Sequence, residues 1–195
     1  MSVNTNQLVM GPATIYVGTF DGTTAREPAD SAINTTPAGS AWTDIGGTDG
    51  GATFSVDPKF TNFQVDQIVD TPGARLTSRD IMVTTVMSEV TLANLATALN
   101  TTVGATGANY ATFEPNYGQF ASQVPYFAVL LDGWAPSSTN VSANYRRRVI
   151  LRKVLQTGKV EPVYAKDKQL GLSVQFQAYY VSGSIGPFKI TDQTS

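Results

Sequence analysis

Arg146, Arg147, Arg148, Arg152 and Lys153 put five of the chain's 13 cationic residues within a stretch of eight. Guanidinium groups at that density are the usual material of phosphate and carboxylate recognition. On an extended strand, however, they divide between faces, with Arg146, Arg148 and Arg152 on one and Arg147 and Lys153 on the other. A nucleic-acid stripe keeps its cations together. The spacing therefore predicts pairing with acidic residues of a neighbouring strand or subunit, and Arg146 and Arg148 become candidate inter-subunit contacts. Gly46-Gly47 and Gly50-Gly51 are followed by no Gly-Lys-Ser/Thr and open no helix, so they read as turn material and not as a phosphate loop. Asp66, Asp70 and Asp80 are too widely spaced for a known calcium loop.

The 195 residues include no His and no Cys. That removes the Ser-His-Asp triad, the Cys nucleophile, the thiolate or imidazole metal site and the redox pair. The routes left, carboxylate pairs and Ser-Lys dyads among them, need convergent groups, and the 15 acidic residues are scattered singly or lie beside turn residues. Catalysis, a cofactor and a metal are not expected. Charged residues make up 14% of the chain, against about 25% in ordinary domains. Thr, Ser, Asn, Gln and 17 Gly replace them, a composition suited to a β-rich protein whose surfaces touch other surfaces. A net charge of -2 supplies no long-range field for DNA or an acidic membrane. Residues 1–10 lack the basic start and apolar core of a secretory signal, and no apolar run approaches the ~20 residues of a membrane span. A protein made in, and soluble in, a cytoplasm is the expectation.

These side chains must be held by strands. Residues 1–9 read as a polar arm, and Leu8 to Phe20 as a first strand in which Ile15 and Val17 alternate with Thr14 and Tyr16. Asp21 to Gly51 reads as a long loop whose large apolar residues are Ile33, Trp42 and Ile45; such a loop is functional, ordered against a partner, or a disordered insertion. Trp42 is placed at an inter-subunit contact. Phe54, Val56 and Phe60 fall on even positions, and Phe63, Val65 and Val69 on odd ones. The change of phase demands a turn or bulge near Pro58 to Asn62. A projecting hairpin over about 54–69 fits best, and Pro58, Phe60 and Phe63 are candidate contacts with another subunit. Arg79 to Ser88 follows as a strand.

One helix is expected, Thr91 to Leu99, capped by Thr91, with Leu92, Leu95, Ala96 and Leu99 as its apolar stripe. It is too short to stand alone, so Leu92, Leu95 and Leu99 should lie buried on a sheet. Val124 to Leu131 reads as a buried strand, Tyr145 to Gln156 and Lys168 to Val181 as the longest strands, Val160 to Ala165 as a shorter one, and 184–195 as a C-terminal tail. The pattern predicts a mainly β single domain over 1–195, a β-sandwich or partial barrel with one outer helix. Along the last long strand Leu170, Leu172, Val174 and Phe176 alternate with Gln169, Ser173, Gln175 and Gln177. The second face is polar yet uncharged, and should neither attract nor grip a charged ligand.

Three stretches carry a resemblance: LVMGPATIYVGTF from Leu8, WTDIGGTDGGATFSVD from Trp42, and above all QIVDTPGARLTSRDIMVTTVMSEVTLANLATALN from Gln67 to Asn100. With LRKVLQTGKVEPVYAKDKQLGLSVQFQAYY from Leu151 to Tyr180, they resemble the major tail tube proteins of long-tailed bacteriophages. The resemblance implies a structural subunit that forms a hexameric β-barrel ring. Rings stack into a tube around a tape-measure protein, between tail terminator and tail tip proteins, and the tube later conducts double-stranded DNA. It implies a virion-tail location, assembly in the bacterial cytoplasm and no membrane partner. In such a ring Gln169, Ser173, Gln175 and Gln177 would border the lumen, with the Arg146 to Lys153 cations turned outward or neutralised. Rival readings are an inner-tube protein of a contractile injection machine, a capsid decoration protein, and a carbohydrate-binding β-sandwich using Tyr110, Phe113 and Tyr117.

Overall fold

The computed structural model describes residues 7–101, 107–113, 124–136 and 145–194. Among the described residues the chain is mainly β, with eight strands in one antiparallel sheet that does not close, and one α-helix. The strands are β1 (Thr14–Thr19), β2 (Trp42–Asp44), β3 (Thr48–Asn62), β4 (Ala74–Met87), β5 (Phe127–Trp134), β6 (Arg146–Gln156), β7 (Leu172–Ala178) and β8 (Phe188–Asp192). The helix α1 (Leu92–Ala98) joins β4 to the connection before β5. Strand order is β2-β1-β5-β6-β7-β4-β3, with β8 also on β6.

Strand β6 links the two halves of the sheet. Its first part pairs with β5 and β8, and its end, Val154 to Gln156, pairs with β7. A register shift beside Phe127 and Val129 places Leu151 and Val154 on one face although they lie three residues apart. Ile15 and Val129 from one half meet Val83 and Phe176 from the other in a single apolar core, all fully buried. Phe54 of β3 also packs on Phe188 of β8, ring centroids 5.4 Å apart, bringing the strand at one end of the order against the strand that pairs with β6.

Alternation fixes these faces as expected, but several boundaries differ. The phase change near Pro58 is a bulge between Lys59 and Phe60 inside a single 15-residue strand, so the turn moves out to residues 63–73. Gly50 and Gly51 form a second irregularity in β3; both hold positive φ (71° and 79°), which a larger side chain would strain. They are bulge residues, not a turn. The tail 184–195 contributes strand β8, whereas 160–165 forms no strand. The loop 21–51 contains β2 and the start of β3, and its remainder is a strap that lies on the sheet. Of the arm 1–9, residues 1–6 lie outside the described residues, as do Tyr117 and Phe120; Leu8 and Val9 are exposed.

Thr91 caps α1 as its position predicts, accepting a bond from the Asn94 amide at 3.1 Å. The stripe holds at Ala96 and is corrected at its leucines. Leu92, Leu95 and Leu99 are half-buried, while Asn94, Ala96 and Ala98 face inward. Small side chains let the helix approach the sheet closely, and the Asn94 side-chain amide donates to the carbonyls of Ile45 (2.8 Å) and Glu89 (2.7 Å). Past the helix, Asn100 sits at φ 53° and its amide both donates to the Gln156 carbonyl (2.7 Å) and accepts from the Gln156 amide (2.8 Å). Asn100→Gly keeps that backbone conformation but removes both bonds, and is expected to cost about 1–3 kcal/mol in urea unfolding. Asn100→Ala should cost about 1 kcal/mol more, because alanine resists positive φ.

Candidate assembly surface

Beyond Val56 and Arg79 the β3–β4 hairpin leaves the body of the protein. Residues 56–72 and 74–79 are all exposed, so neither face of this two-stranded ribbon is covered. It nevertheless carries Phe60, Phe63, Val65, Ile68 and Leu76, with Val69 fully open to solvent. An isolated hairpin is marginal in water, and apolar side chains on both faces of one call for a partner surface. Pro58 and Lys59 lie in the outer half of β3, at the end of the strand order. A missing amide proton and a charge are both deterrents to random edge pairing. Lys59 is held by Asp80 across the ribbon, which also raises its pKa.

A second uncovered area is the non-core face of β3, β4 and β7. Register places Thr53 and Ser55 beside Thr84 and Met82, and these beside Gln175 and Gln177, with Ser173 opposite Val86. Between these positions the face is polar or weakly apolar and carries no charge; charge returns at its two ends, with Asp49 opposite Val86 and Asp57 opposite Asp80. Ser173 and Gln169 are exposed, while Gln175 and Gln177 are half-buried. The Gln175 side-chain amide donates to the Met82 sulfur at 2.8 Å, and the Gln175 backbone carbonyl accepts from the Thr157 backbone amide at 2.9 Å. Gln169 precedes β7 and lines a surface recess with Asp49, Glu161 and Lys168, so it leaves the uncharged set.

The cation cluster of β6 is consumed within the chain. Arg148 is buried and donates to Asp132 of β5 (3.1 Å) and to the carbonyls of Ile33 (3.2 Å) and Thr35 (2.9 Å). Arg146 reaches the same Asp132 at 3.4 Å. Arg152 grips Glu27 through two nitrogens, at 2.5 and 3.2 Å, and the Gly186 carbonyl at 2.8 Å. Arg147 forms a two-pronged pair with Asp192 of β8, both contacts at 2.6 Å. Lys153 stands 4.5 Å over the Tyr126 ring. Arg148 is thus an internal residue, not a contact with another subunit. Trp42 is likewise internal: it is buried over Ala128, Leu130 and Ile150, and its indole nitrogen donates to the Arg26 carbonyl at 2.9 Å. Tyr110 is exposed and Phe113 half-buried; Tyr117 lies outside the described residues.

No known family model matches the chain, and no curated protein matches it in sequence. Function must therefore be argued from these surfaces. Among the described residues no group of His, Cys, Asp or Glu is placed to hold a metal ion, and no helix is long and apolar enough to cross a membrane.

Two carboxylates on this side give the fold an acid dependence. The Arg147 hydrogen bonds hold Asp192 below its ordinary value of 3.8, and the Lys189 hydrogen bond does the same for Asp30. A carboxylate depressed on folding contributes stability above its ordinary value, and loses it as the pH falls through the depressed one. The melting temperature should drop as pH is lowered below about 4, and Asp192→Asn should flatten that drop while lowering the plateau above it. Both groups are partly exposed, so the effect is modest.

Proposed function

We propose that the chain is a structural subunit of the tail tube of a long-tailed bacteriophage. Hexameric rings stack into a hollow tube built around a tape-measure protein, bounded by terminator and tip proteins, and the tube conducts double-stranded DNA into the host. The observation that carries this reading is the ribbon. Its apolar side chains are exposed on both faces and its residues add nothing to the subunit's own core, as expected of a segment that packs on other copies.

The open sheet gives further support, since an edge strand as long as β3 is a template for pairing. If each of six subunits gives about four strands, roughly 24 strands at ~4.8 Å spacing and ~40° tilt form a barrel near 48 Å across. That admits a duplex with room for side chains. In this reading the uncharged stretch of the β3, β4 and β7 face borders the bore. A bore lined with unpaired Arg or Lys would hold DNA, because each neutralised phosphate releases counterions and contacts add along the tube. The internal pairing of Arg146, Arg147, Arg148 and Arg152 keeps those charges occupied.

Electron microscopy of negatively stained purified protein tests the proposal: rings or tubes support it, and a monodisperse monomer at high concentration overturns it. Gln175→Lys with Gln177→Lys should leave tube length unchanged while slowing DNA ejection from virions. Normal ejection would remove this face from the lumen.

A further inference from the structure

Residues 21–41 cross the second face of the sheet as a strap. Among the described residues, every backbone-to-backbone bond of the strap in this structure joins its own residues to one another or to the adjacent Trp42. Its hold on the sheet comes instead from side chains. Glu27 sits on Arg152 of β6, Asp30 on Lys189 and Thr191 of β8, and Arg148 takes the carbonyls of Ile33 and Thr35. The apolar share is small: Ile33 and Pro37 are buried, and Ala41 packs beside Trp42. At each end stands a glycine in open space, Gly22 at φ 82° and Gly39, where a side chain would meet nothing within 4 Å.

The face beneath is built for an acidic segment. Arg146, Arg148, Arg152 and Lys189 point to it, with Asp132 set among them and Leu130 and Ile150 at its centre. Lifting the strap would leave Arg152 and Lys189 without carboxylates, a state that any matching anionic segment would relieve. The segment that matches in spacing is the strap itself, and every further copy of the chain carries one.

We infer that the strap is a detachable self-ligand: it lifts as a unit about its two glycine ends, and the vacated face accepts the same segment from a second copy. The exchange uses contacts already present within one chain, so it creates an intermolecular link without any new interface. It does not depend on rings or tubes. In the closed subunit the tethered strap competes at an effective concentration in the millimolar range, and a free copy of the segment binds weakly.

The test uses the full chain and a fluorescent peptide of residues 21–41. Amide exchange read by mass spectrometry in Glu27→Gln/Asp30→Asn should quicken over 21–41 by about tenfold or more, the scale of a lost part-buried ion pair, while β5, β6 and β7 stay protected. The charge-reversed pair Glu27→Arg/Arg152→Glu should restore slow exchange, which a purely steric role would not. The peptide should bind Glu27→Gln/Asp30→Asn at least about tenfold more tightly than the parent chain, and adding Arg152→Gln should abolish that gain. Unchanged exchange in the strap, or exchange that quickens equally in the strands, overturns the inference. So does an open strap with no peptide binding.

Discussion

Asp132→Ala is expected to lower the free energy of unfolding by about 3–5 kcal/mol, the scale for stripping the partner from a buried charge. Asp132 keeps 6% of its side chain exposed and Arg148 only 3%, so solvent cannot replace the lost carboxylate. The carbonyls of Ile33 and Thr35 stay in place, but they carry partial charges only, and Arg148 Nε already lacks a partner. Arg146, half in solvent, can turn away. Replacing both partners, Asp132→Leu with Arg148→Met, should recover most of the loss, because the buried pair exists at the expense of its desolvation. Urea unfolding of the two variants gives the answer directly. A single substitution costing under about 1 kcal/mol would mean that water reaches Arg148.

Excision of the ribbon should have the opposite profile, no effect on the fold and a complete effect on self-association. Asp57 and Asp80 face each other across β3 and β4, so residues 58–79 can be replaced by Asn-Gly, the pair that closes a two-residue hairpin. No residue removed is buried, and the half-buried Gly73 belongs to the excised tip. The melting temperature should stay within a few degrees, since surface changes away from core and caps move stability by about ±0.5 kcal/mol. Sedimentation should then show monomer at concentrations where the intact chain forms larger species. Assembly at normal yield would mean that the ribbon decorates an outer surface and joins nothing.

Where one residue's neighbours in sequence decide its place, the sequence was legible. Thr91 as cap, the alternation of Leu172, Val174 and Phe176, and the doubly buried β5 needed no knowledge of distant partners. The fate of the Arg cluster required more. The spacing showed that the cations divide, and pairing with a neighbouring strand was the right chemistry, but the Ile33 carbonyl lies 115 residues from Arg148 in sequence. Nothing local distinguishes a buried guanidinium from an exposed one. Trp42 failed for the same reason, because its cover comes from β5 and β6. Pro58 left two outcomes open: a proline between alternating runs signals a turn as readily as an edge-strand bulge, and the register with Arg79 selects the bulge. Of the helix stripe, the periodicity places Ala96 rightly, but it ranks the leucines above Asn94 and Ala98, which close approach to the sheet turns inward.

The position of β6 in the strand order bears on how the chain acquires its structure during synthesis. β1 waits for β5, more than a hundred residues later, and neither half of the sheet is joined to the other until the end of β6 meets β7. The β3–β4 hairpin, by contrast, closes through a short connection and can form as soon as Met87 has left the ribosome. High contact order slows the body while the ribbon is already complete. For that interval each nascent chain displays its stickiest segment before it has a folded domain to hold it, so translation rate and the local density of ribosomes on one message will govern how much protein reaches the soluble pool.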